Sequence, residues 1–259
     1  MQYTRFIALG DSMTEGMSDE VVDGKYRGWA DRVADVLATQ TPGFKYANLA
    51  IRGKLVQQVL DDQVPQALPL IDGPHTLVSF HAGANDVLRP TYDPQFSLAQ
   101  YEKGIKELTD AGATVIIFTV VDKVEGKGKI AKLWHERFSA FNDHVRVVAS
   151  KYPTILFEGK KAEFLNTQSF LSSDRLHMNS EGHRRLANAV LEGLGYEFDP
   201  NWNSNIPLDN GKKITIKPLS NIAWVVTFLI PWIWRRLRGK SSGDGRKSKH
   251  SEPIIWPAR

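Results

Sequence analysis

The chain has 259 residues, 42% of them hydrophobic, enough for one sizeable domain with a proper core, alone or with appendages. It contains no cysteine, which excludes disulfides, thiolate metal sites and cysteine nucleophiles. The net charge of +4 is unevenly placed: Arg235 to Arg259 hold eight of the 33 Lys/Arg and two of the 29 Asp/Glu, so this segment carries +6 and the preceding residues −2. A near-neutral body offers no basic face for nucleic acid, so none is expected as a partner.

The stretch Met1-Gln2-Tyr3-Thr4-Arg5 has no basic n-region, apolar h-region or cleavage site, so no signal peptide is expected and the cytoplasm is the expected compartment. From there, strand-like apolar runs alternate with amphipathic helical ones. The expected strands are Arg5–Leu9, Lys45–Leu49, Thr76–His81, Thr114–Val120 and Thr154–Glu158. Between them the helical pattern covers Gly28–Thr39, Val56–Leu68, Leu98–Ala111 and Ile130–Ser150, and a final helix covers Ser180–Leu194. Ser97 and Asn179 or Ser180 are candidate N-caps, and Gly112 sits where a C-terminal cap belongs. This alternation predicts a three-layer α/β domain over 1–195, with a doubly wound, five-stranded parallel sheet.

Past Gly195 the pattern stops. Residues 196–221, rich in Asn, Asp, Pro and Gly in their first part, are expected to form a linker or irregular arm. The 13-residue apolar run Ile222–Trp234 is shorter than the ~20 residues a membrane span needs, and Pro231 interrupts it. The 222–238 segment is read first as an arm packed on the body, and second, with Arg235, Arg236 and Arg238 behind it, as a membrane-surface element. Residues 239–259, basic and rich in Ser and Gly over their first half, are expected to be disordered.

Three short segments sit where strands end, and a fourth lies just before the cap of the last helix. Gly10-Asp11-Ser12-Met13-Thr14-Glu15-Gly16 places a serine after the first strand, at the sheet edge where open α/β sheets bind ligands. Alone it reads equally as a nucleophile or as an ordinary turn. Asn48-Leu49-Ala50-Ile51-Arg52-Gly53 ends in a glycine that lets backbone approach a ligand. Gly83-Ala84-Asn85-Asp86 offers an amide that can donate to an oxyanion, although Gly and Asn are also common turn residues. Asp174-Arg175-Leu176-His177 lets a carboxylate fold back on Nδ1 of a histidine and leave Nε2 free; a surface ion pair is the alternative. The remaining histidines (His75, His81, His135, His144, His183 and His250) show no metal-ligand spacing, and Asp61-Asp62 reads as a solvated helix face, so no metal or organic cofactor is expected.

Taken together, Ser12, Gly53, Asn85 and His177 follow the block order of the SGNH hydrolases, the GDSL esterase/lipase family, which the chain resembles over about residues 3–195. Met13 stands where the family name has Leu, an apolar position in both. The resemblance implies a flavodoxin-like sheet, with Ser12 as nucleophile, His177 as general acid/base and Asp174 as its orienting partner. It also implies an oxyanion hole from the Ser12 and Gly53 backbone N–H groups and the Asn85 side chain. The implied activity is hydrolysis of small carboxylic esters, including membrane-borne ones as one option; a catalytically silent binding protein of the same fold is the alternative. The absence of a Gly-x-Gly-x-x-Gly loop counts against a phosphate- or flavin-binding protein.

Overall fold

The computed structural model describes residues 2–120, 128–161, 168–204, 223–238 and 240–257. In chain order the strands are β1 (Arg5–Gly10), β2 (Val21–Val22), β3 (Lys25–Tyr26), β4 (Lys45–Asn48), β5 (Thr76–His81), β6 (Thr114–Phe118), β7 (Thr154–Phe157) and β8 (His250–Ile255). The central sheet has the order β7-β6-β5-β1-β4-β8, while β2 and β3 form a separate small hairpin. The strands β7, β6, β5, β1 and β4 are all parallel, as the alternating pattern predicts. β8 is the difference: it adds a sixth strand, antiparallel to β4.

Side-chain alternation along the strands builds two cores. Phe6 and Ala8 of β1 join one cluster and Ile7 and Leu9 the other, as a period of two requires of a strand buried on both faces. The first face is covered by α2 (Gly28–Gln40), through Trp29, Val33 and Leu37, and by α8 (Ser180–Leu194), through Leu186 and Val190. The second is covered by α6 (Pro94–Asp110), through Tyr101, Ile105 and Leu108, and by α7 (Lys129–Lys151), through Phe141, Val145 and Val148. Each such buried side chain contributes about 1.5–3 kcal/mol, so the two layers dominate the stability of the domain.

Two local differences from the sequence reading have steric causes. The helix predicted over Val56–Leu68 is interrupted: α3 (Val56–Gln58) passes through a π-type turn, Val59–Gln63, before α4 (Val64–Ala67). Pro65 lacks an N–H and its ring crowds the carbonyl four residues back, and the wider turn accommodates both. The helix α6 starts before Ser97, because Asp93 accepts from Phe96 N at 3.1 Å and Pro94 occupies the first turn. By contrast, Asn179 caps α8 as expected, accepting from Gly182 N at 3.0 Å.

The chain beyond α8 also departs from expectation. Within the predicted arm, residues 196–204 are irregular but tied down: Tyr196 and Trp202 are buried, and Arg185 donates to the carbonyls of Trp202 and Ser204. Residues 205–222 of the predicted arm and apolar segment lie outside the described residues. Residues 223–237 are helical. A π-type turn, Val225–Leu229, leads into α9 (Ile230–Leu237), and Pro231 follows that turn at the same spacing as Pro65 follows the first. Among the described residues no helix is long and apolar enough to cross a membrane.

The disorder expected over 239–259 is corrected by a strap, residues 240–257. Lys249 Nζ is buried and reaches Asp31 at 2.8 Å and the carbonyls of Tyr26 and Arg27, each at 2.8 Å. Trp256 lies edge-on to Tyr46, with centroids 4.8 Å apart, and donates to Asp35 at 2.8 Å. Pro253 is tolerated in β8 because the strand lies at the sheet edge.

Candidate active site

β1 ends in Gly10, which has φ +143 and whose Cβ would fall 2.2 Å from the His81 carbonyl oxygen, so only glycine fits between β1 and β5. The chain then turns into the short helix α1 (Ser12–Glu15), with Asp11 as its cap, accepting from Met13 N at 3.2 Å. This places Ser12 at the carboxyl edge of the sheet. The loop between β7 and α8 brings His177 to it: His177 Nε2 lies 2.9 Å from Ser12 Oγ, and His177 Nδ1 lies 2.6 Å from Asp174 Oδ2. Ser12, more than 160 positions before Asp174 and His177, completes one hydrogen-bonded line with them.

Asp174 is held more firmly than a three-residue spacing implies. Its Oδ1 accepts from Ser172 Oγ at 2.7 Å, Leu176 N at 2.9 Å and His177 N at 3.0 Å. Burial pushes the Asp174 carboxyl up, but the hydrogen bond and charge of His177, with these backbone donors, hold it well below the usual carboxylate range. Arg175 takes up a left-handed conformation (φ 59) within this turn.

The other two predicted segments converge on the same edge. Asn85, in α5 (Ala84–Val87), directs Nδ2 to Asp11 Oδ2 at 2.8 Å and to the Lys54 carbonyl at 3.2 Å. Asp11 is fully buried; burial pushes its carboxyl up, opposed by His81, whose Nδ1 lies 3.9 Å away. Asp86 turns inward and accepts from Val56 N at 3.0 Å, and burial pushes its carboxyl up to about 6. Asn48 has a structural part: it is buried and donates to the Thr14 carbonyl at 3.0 Å, tying the loop after β4 to α1.

Gly53 sits on that loop with φ +74, and what approaches it is the chain itself. A Cβ there would lie 2.1 Å from Ser241 Oγ, which donates to the Gly53 carbonyl at 3.2 Å. From the other side Arg52 N donates to Glu15 Oε2 at 2.6 Å, and the Arg52 guanidinium pairs with the same carboxylate. The sequence reading missed Glu15, Ser241 and the strap. Trp29, on α2, is fully buried against Phe6 and Phe118. Among the described residues no group of three or more His, Asp or Glu could hold a metal ion.

A doubly wound α/β sheet with a Ser–His–Asp line at its carboxyl edge defines a class of hydrolase in which acid and base share one loop, distinct from the Gly-x-Ser-x-Gly elbow. The chain belongs to the GDSL-like lipase/acylhydrolase family, whose model matches residues 8–185, and it is an ester-hydrolysing enzyme of that family. No curated protein matches it significantly. Among solved structures it is similar to an acetyl xylan esterase from Geobacillus stearothermophilus (22% identity, TM-score 0.58, 76% of this chain and 98% of that one). A tryptophan variant of that esterase superposes with TM-score 0.62 at 18% identity, over 77% of this chain and 99% of the other. An alpha/beta hydrolase from the metagenome of Lake Arreo, Spain, has 21% identity and a TM-score of 0.57, over 74% and 95%. At these identities the likeness is one of fold, and it agrees with the three-layer architecture expected from the sequence.

Proposed function

We propose that the enzyme hydrolyses carboxylic esters through an acyl-enzyme on Ser12. Ser12 Oγ attacks the ester carbonyl carbon while His177 Nε2 takes its proton. The tetrahedral intermediate collapses as His177 returns that proton to the departing alcohol. Water, activated by the same nitrogen, then releases the acid and regenerates Ser12. Asp174 holds the tautomer with Nδ1–H and stabilises the imidazolium that forms. The developing oxyanion takes the Ser12 and Gly53 backbone N–H groups and the Asn85 amide, whose longer bond, at 3.2 Å to Lys54 O, is the one to exchange.

The observation that carries this reading is the unbroken hydrogen-bonded line from Ser12 through His177 to Asp174. An organophosphonate probe tests it: one adduct per chain at Ser12, none in Ser12→Ala, and a pre-steady-state burst of p-nitrophenol from p-nitrophenyl acetate. Labelling at another residue, or hydrolysis undiminished in Ser12→Ala, would overturn it. A series of p-nitrophenyl esters of increasing acyl length then defines the acyl group.

A further inference from the structure

The helical segment 223–237 is attached to the loop carrying Asp174 and His177 at one end and bares a row of apolar side chains further on. Trp224 Nε1 donates to the Asp174 carbonyl at 2.8 Å, and the Arg175 guanidinium stacks over the Trp224 ring at 5.1 Å. Beyond this anchor, Val226, Ile230 and Trp234 recur every fourth residue, the spacing of one row along a helix, and are 57%, 53% and 55% exposed. Arg238 continues the row and stacks over Trp234 at 4.3 Å. Leu176, next to His177, is 47% exposed and adds to the bare apolar surface at the catalytic loop.

The charge of this stretch is predominantly positive. Between Ala223 and Lys247 the sequence has six Lys/Arg and one acidic residue, Asp244. Arg235, Arg238, Lys240, Arg246 and Lys247 are exposed. An apolar row of Trp and Ile flanked by Arg matches an acyl boundary beneath a layer of anionic headgroups, because the rings and aliphatic chains enter while the guanidiniums stay at the phosphates. A second protein would have to match both the apolar row and a dense acidic rim, whereas an anionic bilayer supplies both without a specific shape.

We infer that the segment 223–238 is an interfacial helix that docks the enzyme on anionic lipid surfaces, with the loop carrying Asp174 and His177 held at that surface. Docking places esters carried in the lipid layer within reach of Ser12, a consequence that rests on the acyl-enzyme reading, whereas docking itself does not.

Full-length enzyme is sedimented with vesicles of phosphatidylglycerol and phosphatidylcholine, and separately with pure phosphatidylcholine vesicles. Binding is expected to the first, to weaken steeply with salt, and to fall at least tenfold on the second. Arg235→Glu with Arg238→Glu is expected to cost about 30-fold in partitioning or more, since each basic residue near the surface contributes about fivefold. Ile230→Asp with Trp234→Asp is expected to abolish binding. Both variants alter exposed side chains and should keep wild-type turnover of soluble p-nitrophenyl acetate, so failure to dock and failure of the chemistry are read separately. The inference is overturned if wild type stays in the supernatant with anionic vesicles or if both variants bind like wild type. It is equally overturned if, without lipid, the chain forms a dimer that Ile230→Asp with Trp234→Asp dissociates.

Discussion

Replacing Asp174 by Asn tests the catalytic line most sharply, because the structure fixes which way the new amide must face. Oδ1 of Asp174 receives three donors, from Ser172 Oγ, Leu176 N and His177 N, so in Asp174→Asn this position has to remain the oxygen. The amide nitrogen is then forced toward His177 Nδ1, where the carboxylate now lies at 2.6 Å. An NH2 group there is a donor, so Nδ1 must become the acceptor and the ring proton moves to Nε2. Nε2 faces Ser12 Oγ at 2.9 Å and can then no longer accept its proton. Flipping the amide would set an NH2 against the Leu176 and His177 N–H donors in a half-buried turn, which is costlier still. The imidazolium also loses its counter-charge. Together these effects are worth about 10,000-fold in kcat, or ~5.5 kcal/mol of barrier. The variant keeps the size and the turn contacts of Asp174, so its thermal midpoint should stay near wild type. Turnover of p-nitrophenyl acetate, measured beside the melting curve, decides the matter. A correctly folded Asp174→Asn enzyme within tenfold of wild-type kcat would refute the assigned role.

Other perturbations have equally definite outcomes. Asn85→Ala should lower kcat by about 100-fold or more with KM little changed, the loss typical of one oxyanion donor; near-full turnover would remove Asn85 from the site. Asp86 carries a raised pKa of about 6 through burial, so the folded state holds its proton more tightly than the unfolded chain. Its contribution to stability is therefore complete below the ordinary carboxylate value and is lost as pH rises toward and past 6, by about 3 kcal/mol. Asp86→Asn should lack that slope in urea titrations between pH 4 and 7.5, and parallel curves for the two proteins would contradict the sign. Lys249→Met leaves Asp31 buried with the Tyr46 hydroxyl, 2.7 Å away, as its remaining polar side-chain partner among the described residues. The expected loss is about 3–5 kcal/mol of unfolding free energy, partly regained on adding Asp31→Asn; an unchanged urea midpoint would show the pair to be dispensable.

The parts of this enzyme legible in its sequence are those specified by nearby residues. The parallel strands announce themselves as short apolar runs, because β1 and β5 are buried on both faces and even the half-buried edge strand β7 is apolar, so no partner is needed to recognise them. The residues proposed to carry the chemistry are legible for a related reason: Ser12, Gly53 and Asn85 lie within five positions of a strand end, and Asp174 and His177, just before α8, are close enough to meet through a single turn. What escaped was set by distant partners or by single prolines. The strap looks unstructured by composition, yet Lys249 and Trp256 find Asp31 and Asp35 on α2, more than two hundred positions away. The break after Val56 was hidden because hydrophobic periodicity does not register the missing N–H of Pro65. The start of α6 was misplaced because Ser97 is as good a cap by type as Asp93, and Pro94 decides between them.

The strap also bears on how the enzyme is made. On a growing chain β4 emerges with one edge unpaired, and its partner β8 follows roughly two hundred residues later, one of the most non-local pairings in the sheet. Until then that edge is a template for pairing with other nascent chains. The loop carrying Gly53 meanwhile lacks Ser241, the outer half of its support. Translation thus leaves the family domain at residues 8–185 complete in sequence well before the strap can close over it. The interval between the two is when the bare edge of β4 is most open to pairing with another chain.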